Sequence, residues 1–199
     1  MLKIRYSNNK FECGIDEAGR GCLAGPVTAA AVILKPNFKD NMIIDSKKLT
    51  ANKRKEIGEI IKKNSISYSI QNVFPKKIDE INILNSSILA MHKCIDDLIF
   101  KPDFIIVDGN IFYKYGDIPH KTIIKGDEKY LSIAAASILA KNFRDEYMIE
   151  IDKKFPKYNW IKNKGYPTKQ HKAAIMSNGA TKHHRKSFRL FDEQLIIDF

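Results

Sequence analysis

The chain has 199 residues, a hydrophobic fraction of 44% and a formal net charge of +11. That length supports one ordinary domain with a substantial core, and that apolar content excludes a disordered chain. Three cysteines (Cys13, Cys22, Cys94) without CxxC spacing exclude a disulfide framework and a zinc knuckle; with no secretory signal and no bilayer-length apolar run, a cytoplasmic protein with reduced thiols and no membrane partner is expected.

Residues 11–15 read as a strand ending at Asp16, directly before a second acid, Glu17. A turn follows, punctuated by Gly19, Gly21, Gly25 and Pro26 and carrying Arg20. Residues 28–34 are apolar throughout and predict a buried strand, which Pro36 closes. Thr50 is placed to cap a helix reaching about Lys63, with Ile57, Ile60 and Ile61 at helical spacing. Residues 65–73 alternate and predict a third strand. Pro75 suits the start of a helix running to about Phe100. Short strands are predicted at 104–107, ending at Asp108, and at 121–125, ending near Asp127. A long helix from Leu131 to about Phe155 is rich in small residues in its first half, and Pro156 ends it. The tail predicts a helix from about Thr168, stopped at Gly179, and a last turn or strand at 191–199. Strands first, then alternating helices and strands, predict an α/β fold with a mixed central sheet flanked by helices. The expected division is a core at 1–155 and a basic helical region at 156–199 packed on it.

The charge is concentrated in that tail. Residues 153–189 hold eleven Lys and Arg and no acid, while the other 23 basic residues balance the 23 acids of the chain. A one-sided basic region is an electrostatic footprint for a polyanion, most often nucleic acid.

Asp16, Glu17, Asp108 and Asp127 each follow a short apolar strand, and Gly109 and Gly126 flank the last two. If those strands are neighbours, the four acids meet at one edge of the sheet. Like charges gathered in one place call for a cation, and oxygen ligands without cysteine suit Mg2+ or Mn2+. Two such ions about 3.5–4 Å apart can activate a water and stabilise a leaving oxygen in phosphodiester hydrolysis. The acids at 16 and 17 alternate along a strand, so their joint use requires a bend, which the adjoining glycines permit. Gly19, Gly21 and Gly25 do not form a dinucleotide or P-loop motif: the spacing is wrong, a strand follows where a helix should, and no GK[ST] is present.

The run GIDEAGRGCLAGPV resembles the signature of the bacterial ribonuclease HII family, the type 2 ribonucleases H. The resemblance continues in family order through DSKKL (45–49), VDGN (107–110), KGD (125–127), SIAAASILAK (132–141), RDEYM (144–148), KGYPTKQH (164–171) and HHRKSF (183–188). It implies a ribonuclease H-like fold with an added C-terminal helical region. It also implies metal-dependent cleavage of RNA in RNA/DNA hybrids, with incision 5′ of ribonucleotides embedded in duplex DNA, leaving 3′-hydroxyl and 5′-phosphate ends. The family's catalytic, metal-holding carboxylates fall on Asp16, Glu17, Asp108 and Asp127, its glycine-arginine-glycine loop on Gly19, Arg20 and Gly21, and its substrate-reading tyrosine on Tyr166. Glu128, beside Asp127, departs from the pattern of many relatives.

Recognising a ribonucleotide within DNA requires contact with its 2′-hydroxyl. Gly19 and Gly21 let the backbone approach that group, and Tyr166 offers a ring to the adjoining sugar. Arg20, Lys47 and Lys48 near the acids, and Lys164, Lys169, Lys182, Arg185 and Lys186 in the tail, are candidate phosphate contacts. Neither His183-His184 nor His171 is expected to bind metal; His171 is placed at a helix cap or beside a phosphate, and Arg144 is paired with Asp145. Another two-metal nuclease, of junction-resolvase or transposase type, and a non-catalytic binding module are the competing readings. A monomer is expected. The end, residues 194–199, reads as a packing segment or as a docking peptide for a replication clamp.

Overall fold

A computed structural model describes residues 2–43, 46 and 49–189. The elements in chain order are β1 (Glu12–Ala18), β2 (Val27–Leu34), α1 (Ala51–Asn64), β3 (Ser65–Val73), α2 (Pro75–Asp97), β4 (Phe104–Asp108), β5 (His120–Ile123), α3 (Leu131–Asp152), α4 (Trp160–Asn163) and α5 (Lys169–Asn178). Two 3-10 turns, Gly126–Glu128 and Pro156–Tyr158, precede α3 and α4. The strands form one sheet in the order β3-β2-β1-β4-β5. It is mixed, as expected: β1, β2 and β3 are antiparallel neighbours, whereas β4 lies parallel to both β1 and β5.

Residues of β2 are buried along its whole length because both of its faces are covered. Val27, Ala29, Ala31 and Ile33 pack with Ile78, Met91 and Ile95 of α2 on one side. Ala30, Val32 and Leu34 pack on the other with Ile57 and Ile61 of α1 and Ala134, Ala135 and Ile138 of α3. The small residues of α3 let it approach the sheet closely. A Cβ on Gly14 of β1 would lie 2.3 Å from the Ser132 carbonyl carbon, so only glycine fits beneath the start of α3.

Local chemistry sets the helix ends. Thr50 Oγ1 accepts from the Lys53 N–H at 3.3 Å and Thr168 Oγ1 from the His171 N–H at 3.1 Å. His171 is thus the capped residue of α5 rather than its cap. Within α2, Asn82 adopts φ 65° and breaks the helix. Its side-chain oxygen then accepts from the Asn85 N–H at 3.0 Å, capping the second half.

Several boundaries differ from expectation, the end of α2 at Asp97 among them. β1 continues through Asp16 and Glu17 to Ala18, so the paired acids lie inside a strand rather than after it. β5 stops at Ile123, and Asp127 sits in the 3-10 turn beyond it. α3 ends at Asp152, and the chain then turns through Pro156–Tyr158. The segment after α3 closes on the core through Tyr158, Trp160 and Ile175, which pack with Leu23, Ala24, Met148 and Ile151. Asp45, Lys47, Lys48 and the peptide 190–199 lie outside the described residues, and with them the predicted last element and docking peptide.

Candidate active site

The carboxylates are placed by strand registry. The β1–β4 ladder runs to Ile15↔Val107, and Asp16 and Asp108 are the next residues on the two parallel strands. The β1–β2 ladder continues past them to Ala18↔Thr28, so Asp16 and Glu17 are extended without the expected bend, and the charge of Asp108 still bears on both. Asp16 is buried and its Oδ1 accepts the Glu17 N–H at 2.7 Å. Asp108 Oδ1 accepts the Gly126 N–H at 2.6 Å, tying β4 to the turn that carries Asp127. Asp127 is buried, whereas Glu128 is exposed on the outer side of that turn.

Electrostatics shows how closely the first three acids bear on one another. Burial, then Glu17 and Asp108, push the Asp16 carboxyl well above the usual carboxylate range, against hydrogen bonds from Ser137 and the Glu17 N–H. Burial also raises Glu17, opposed chiefly by Arg20, with Asp108 adding to the rise. Arg20 Nη1 lies 3.2 Å from Glu17 Oε1 with its side chain half exposed. Among the described residues no three His, Cys, Asp or Glu side chains form a ready-made metal-holding group. The fit to a cation is therefore one of charge and donor chemistry: buried carboxylates that repel one another, with no cysteine among them, suit a hard divalent ion.

Ser137 and Ser46 were not predicted for the site. The Ser137 hydroxyl serves Asp16 and lies 3.1 Å from the Ser46 hydroxyl. The available signal was a serine in the alanine-rich buried face of α3, where a hydroxyl requires a partner. Arg54 donates to the Ser46 and Leu49 carbonyls and pairs with Asp145 at 2.8 Å. Asp145 also takes Lys141 at 2.5 Å. The expected Arg144–Asp145 pair is replaced by these contacts, because consecutive helical residues point in different directions.

Arg144 instead enters the glycine-rich loop. It is fully buried and donates to the carbonyls of Pro26 (2.9 Å), Ala24 (3.0 Å) and Lys164 (2.8 Å). Arg185 is likewise fully buried and donates to the carbonyls of Gly19 (2.7 Å), Arg20 (2.8 Å) and Gly25 (3.1 Å). Arg185 is thus an internal tether and not the phosphate contact expected from sequence. Further backbone bonds join the loop to the tail, from Leu23 N–H to Gly165 O and from Gly25 N–H to His183 O, both 2.8 Å.

Tyr166 sits beside this loop, partly exposed. The Arg144 guanidinium and the Lys141 ammonium each lie 5.7 Å from its ring centroid, and burial, then the nearby Cys22, pushes its hydroxyl above the usual range. Lys169, Lys182 and Lys186 are exposed. Lys164 is half-buried and its ammonium turns back onto the Ile161 carbonyl, so it does not point outward as expected.

Beneath Tyr166, Trp160 Nε1 donates to His171 Nε2 at 2.9 Å, and His171 Nδ1 meets the Tyr166 carbonyl at 3.0 Å. Indole N–H only donates, so Nε2 carries the lone pair and Nδ1–H donates to Tyr166. Burial pushes His171 down, and burial with His171 nearby pushes His184 down to about 4. A histidine depressed on folding adds stability above its unfolded pKa and loses it as pH falls through the folded value. In an NMR titration of the folded protein, the His171 and His184 rings should titrate below pH 6.5, His184 near pH 4. Midpoints at or above 6.5 would contradict the buried neutral pair.

A mixed sheet with carboxylates at adjoining positions on its parallel central strands, beside a basic helical region, defines a ribonuclease H-like nuclease. The structure of a ribonuclease H2 from Pyrococcus horikoshii superposes with a TM-score of 0.77 over 90% of this chain and 94% of that one, at 24% identity. A ribonuclease HII from Archaeoglobus fulgidus, solved in complex with PCNA, gives 0.73 over 93% and 98%, at 27% identity. The sequence profile described as Ribonuclease HII matches residues 13–191. A ribonuclease HII of Christiangramia forsetii is 59% identical over 98% of this chain and all of its own length, and one of Phocaeicola vulgatus is 53% identical over the full length of both. The chain belongs to the ribonuclease HII family. It is a metal-dependent ribonuclease H endonuclease, so the junction-resolvase and binding-module readings fall away.

Proposed function

We propose that Asp16, Glu17, Asp108 and Asp127 hold the divalent cations of this reaction, Mg2+ or Mn2+, and that the loop at Gly19–Gly21 with Tyr166 recognises the ribonucleotide. The observation that carries this reading is the juxtaposition of Asp16, Glu17 and Asp108 at the end of the β1–β4 ladder, beside a loop bonded to the turn bearing Tyr166. Bound there, the cations would supply water activation and charge stabilisation at phosphorus.

The protein's own groups divide the remaining work. Ser137 and the Glu17 N–H orient Asp16, and the Gly126 N–H orients Asp108. Arg20 tempers Glu17 and brings a half-exposed cation to the rim, where a phosphate passes. The partly exposed ring of Tyr166 is the part offered to the sugar adjoining the ribonucleotide. Exposed lysines at 169, 182 and 186 attract the backbone of RNA/DNA hybrid or ribonucleotide-bearing duplex DNA. A replication clamp is the further partner suggested by residues 194–199 and by the archaeal relative solved with PCNA.

The test is a duplex DNA carrying one ribonucleotide, incubated with and without Mg2+ or Mn2+. Metal-dependent incision 5′ of the ribonucleotide, with 3′-hydroxyl and 5′-phosphate ends, is expected. Tyr166→Ala should lose about tenfold more activity on that substrate than on a long hybrid, the scale of one lost stacking contact. Equal loss on both would remove Tyr166 from junction recognition.

A further inference from the structure

Arg185 comes from the C-terminal segment, far in sequence from the loop it enters. All three of its donor groups reach loop carbonyls, those of Gly19, Arg20 and Gly25. The C=O and N–H of a trans peptide point in opposite directions. Drawing the Gly19 and Arg20 carbonyls inward therefore turns the N–H groups of Arg20 and Gly21 outward, and Arg20 and Gly21 are the exposed residues of the loop. Asp79, on the first half of α2, fixes the segment from which Arg185 reaches. Its carboxylate accepts the Lys186 N–H (3.1 Å), the Ser187 N–H (3.0 Å) and the Ser187 hydroxyl (2.6 Å).

We infer that Arg185, seated by Asp79, is a positioning residue that aims the Arg20 and Gly21 amides at the 2′-hydroxyl of the substrate. This rests on reading residues 19–21 as the hydroxyl-reading loop. Arg185 never touches substrate; it acts through the peptide planes. Lysine keeps the charge but not the three-way fork, so it cannot hold all three carbonyls in the same arrangement.

The experiment compares kcat/KM on a duplex with one ribonucleotide and on the same duplex with a 2′-fluoro-2′-deoxynucleotide at that position. Arg185→Lys should lose about 10- to 100-fold on the ribonucleotide, the scale of one or two hydrogen bonds, and much less on the fluoro substrate, so the ratio of the two falls. Asp79→Asn should shift the ratio in the same direction by a smaller factor. An equal loss on both substrates, or no loss, for Arg185→Lys overturns the inference. If Arg185→Lys does not fold, Asp79→Asn decides: a lowered ratio supports the inference and an unchanged ratio overturns it. Gly21→Ala separates the two levels of the argument. If it leaves the ratio unchanged, the reading of the loop itself fails; if it lowers the ratio while Arg185→Lys does not, only the role of Arg185 fails.

Discussion

Asp16→Asn should reduce metal-dependent cleavage by about 10³-fold or more, on the scale of losing one preorganised electrostatic group from a nuclease site. The same substitution should raise the melting temperature of the metal-free protein. Asp16 is buried beside Glu17 and Asp108, and its carboxyl is held well above the usual range. A carboxyl raised on folding binds its proton more tightly in the native state than in the unfolded chain. Its ionisation therefore costs stability as pH rises from the unfolded pKa through the folded one, and the full cost is present above both. Asparagine keeps the shape and an acceptor oxygen for the Glu17 N–H while removing that charge. For a domain of this size, each 1 kcal/mol of relieved repulsion corresponds to about 2–4 °C. Thermal scans in EDTA at neutral pH and cleavage assays with Mg2+ or Mn2+ measure the two effects. A variant as active as the native protein would remove Asp16 from the reaction; an inactive variant with a lowered melting point would make the loss structural.

The strands that carry the acids were legible because each is a short apolar run with an acid near its end. β2, apolar from Ala29 to Leu34, was legible as a buried strand. Registry was not legible: that Asp16 and Asp108 stand side by side follows from the parallel β1–β4 pairing, which no local pattern encodes. The extent of β1 was also hidden. Its acids look like a strand end, yet β2 continues to pair with the strand through Ala18. The largest miss concerned arginine. In sequence, Arg144 and Arg185 are cations in charged surroundings, and the sensible assignments were an ion pair and a phosphate contact. In the fold each is fully buried and solvated by backbone carbonyls instead of paired with carboxylates. Carbonyls that a loop cannot satisfy internally carry no sequence signature, so neither does the residue that satisfies them. Tyr166 and the loop were matched to family motifs separately; their connection through Cys22, Leu23 and Arg144 appears only in three dimensions.

Gly19→Ala and Gly21→Ala should fail for different reasons. Gly19 has φ +89°, and a Cβ there would lie 2.0 Å from Arg144 Nε. Arg144 cannot step aside cheaply, since its guanidinium holds Ala24, Pro26 and Lys164. Backbone strain and overpacking together should cost about 2 kcal/mol or more, and activity should fall with the loop's integrity. Among the described residues, no atom beyond its chain neighbours lies within 4 Å of a would-be Cβ on Gly21, which is exposed. Alanine at 21 should therefore leave stability within about 0.5 kcal/mol of the native protein. No described residue accounts for a glycine at that position. If the substrate's sugar approaches the Gly21 amide, a methyl group there displaces it, and a displacement of about 1 Å can cost about 10²-fold in rate. Urea denaturation paired with cleavage of a single-ribonucleotide duplex distinguishes the two variants. Loss of activity without loss of stability at 21, beside loss of both at 19, would mark Gly19 as the residue that shapes the loop and Gly21 as the residue that meets the ribose. A Gly21→Ala variant with native activity would show that the substrate does not approach the backbone there.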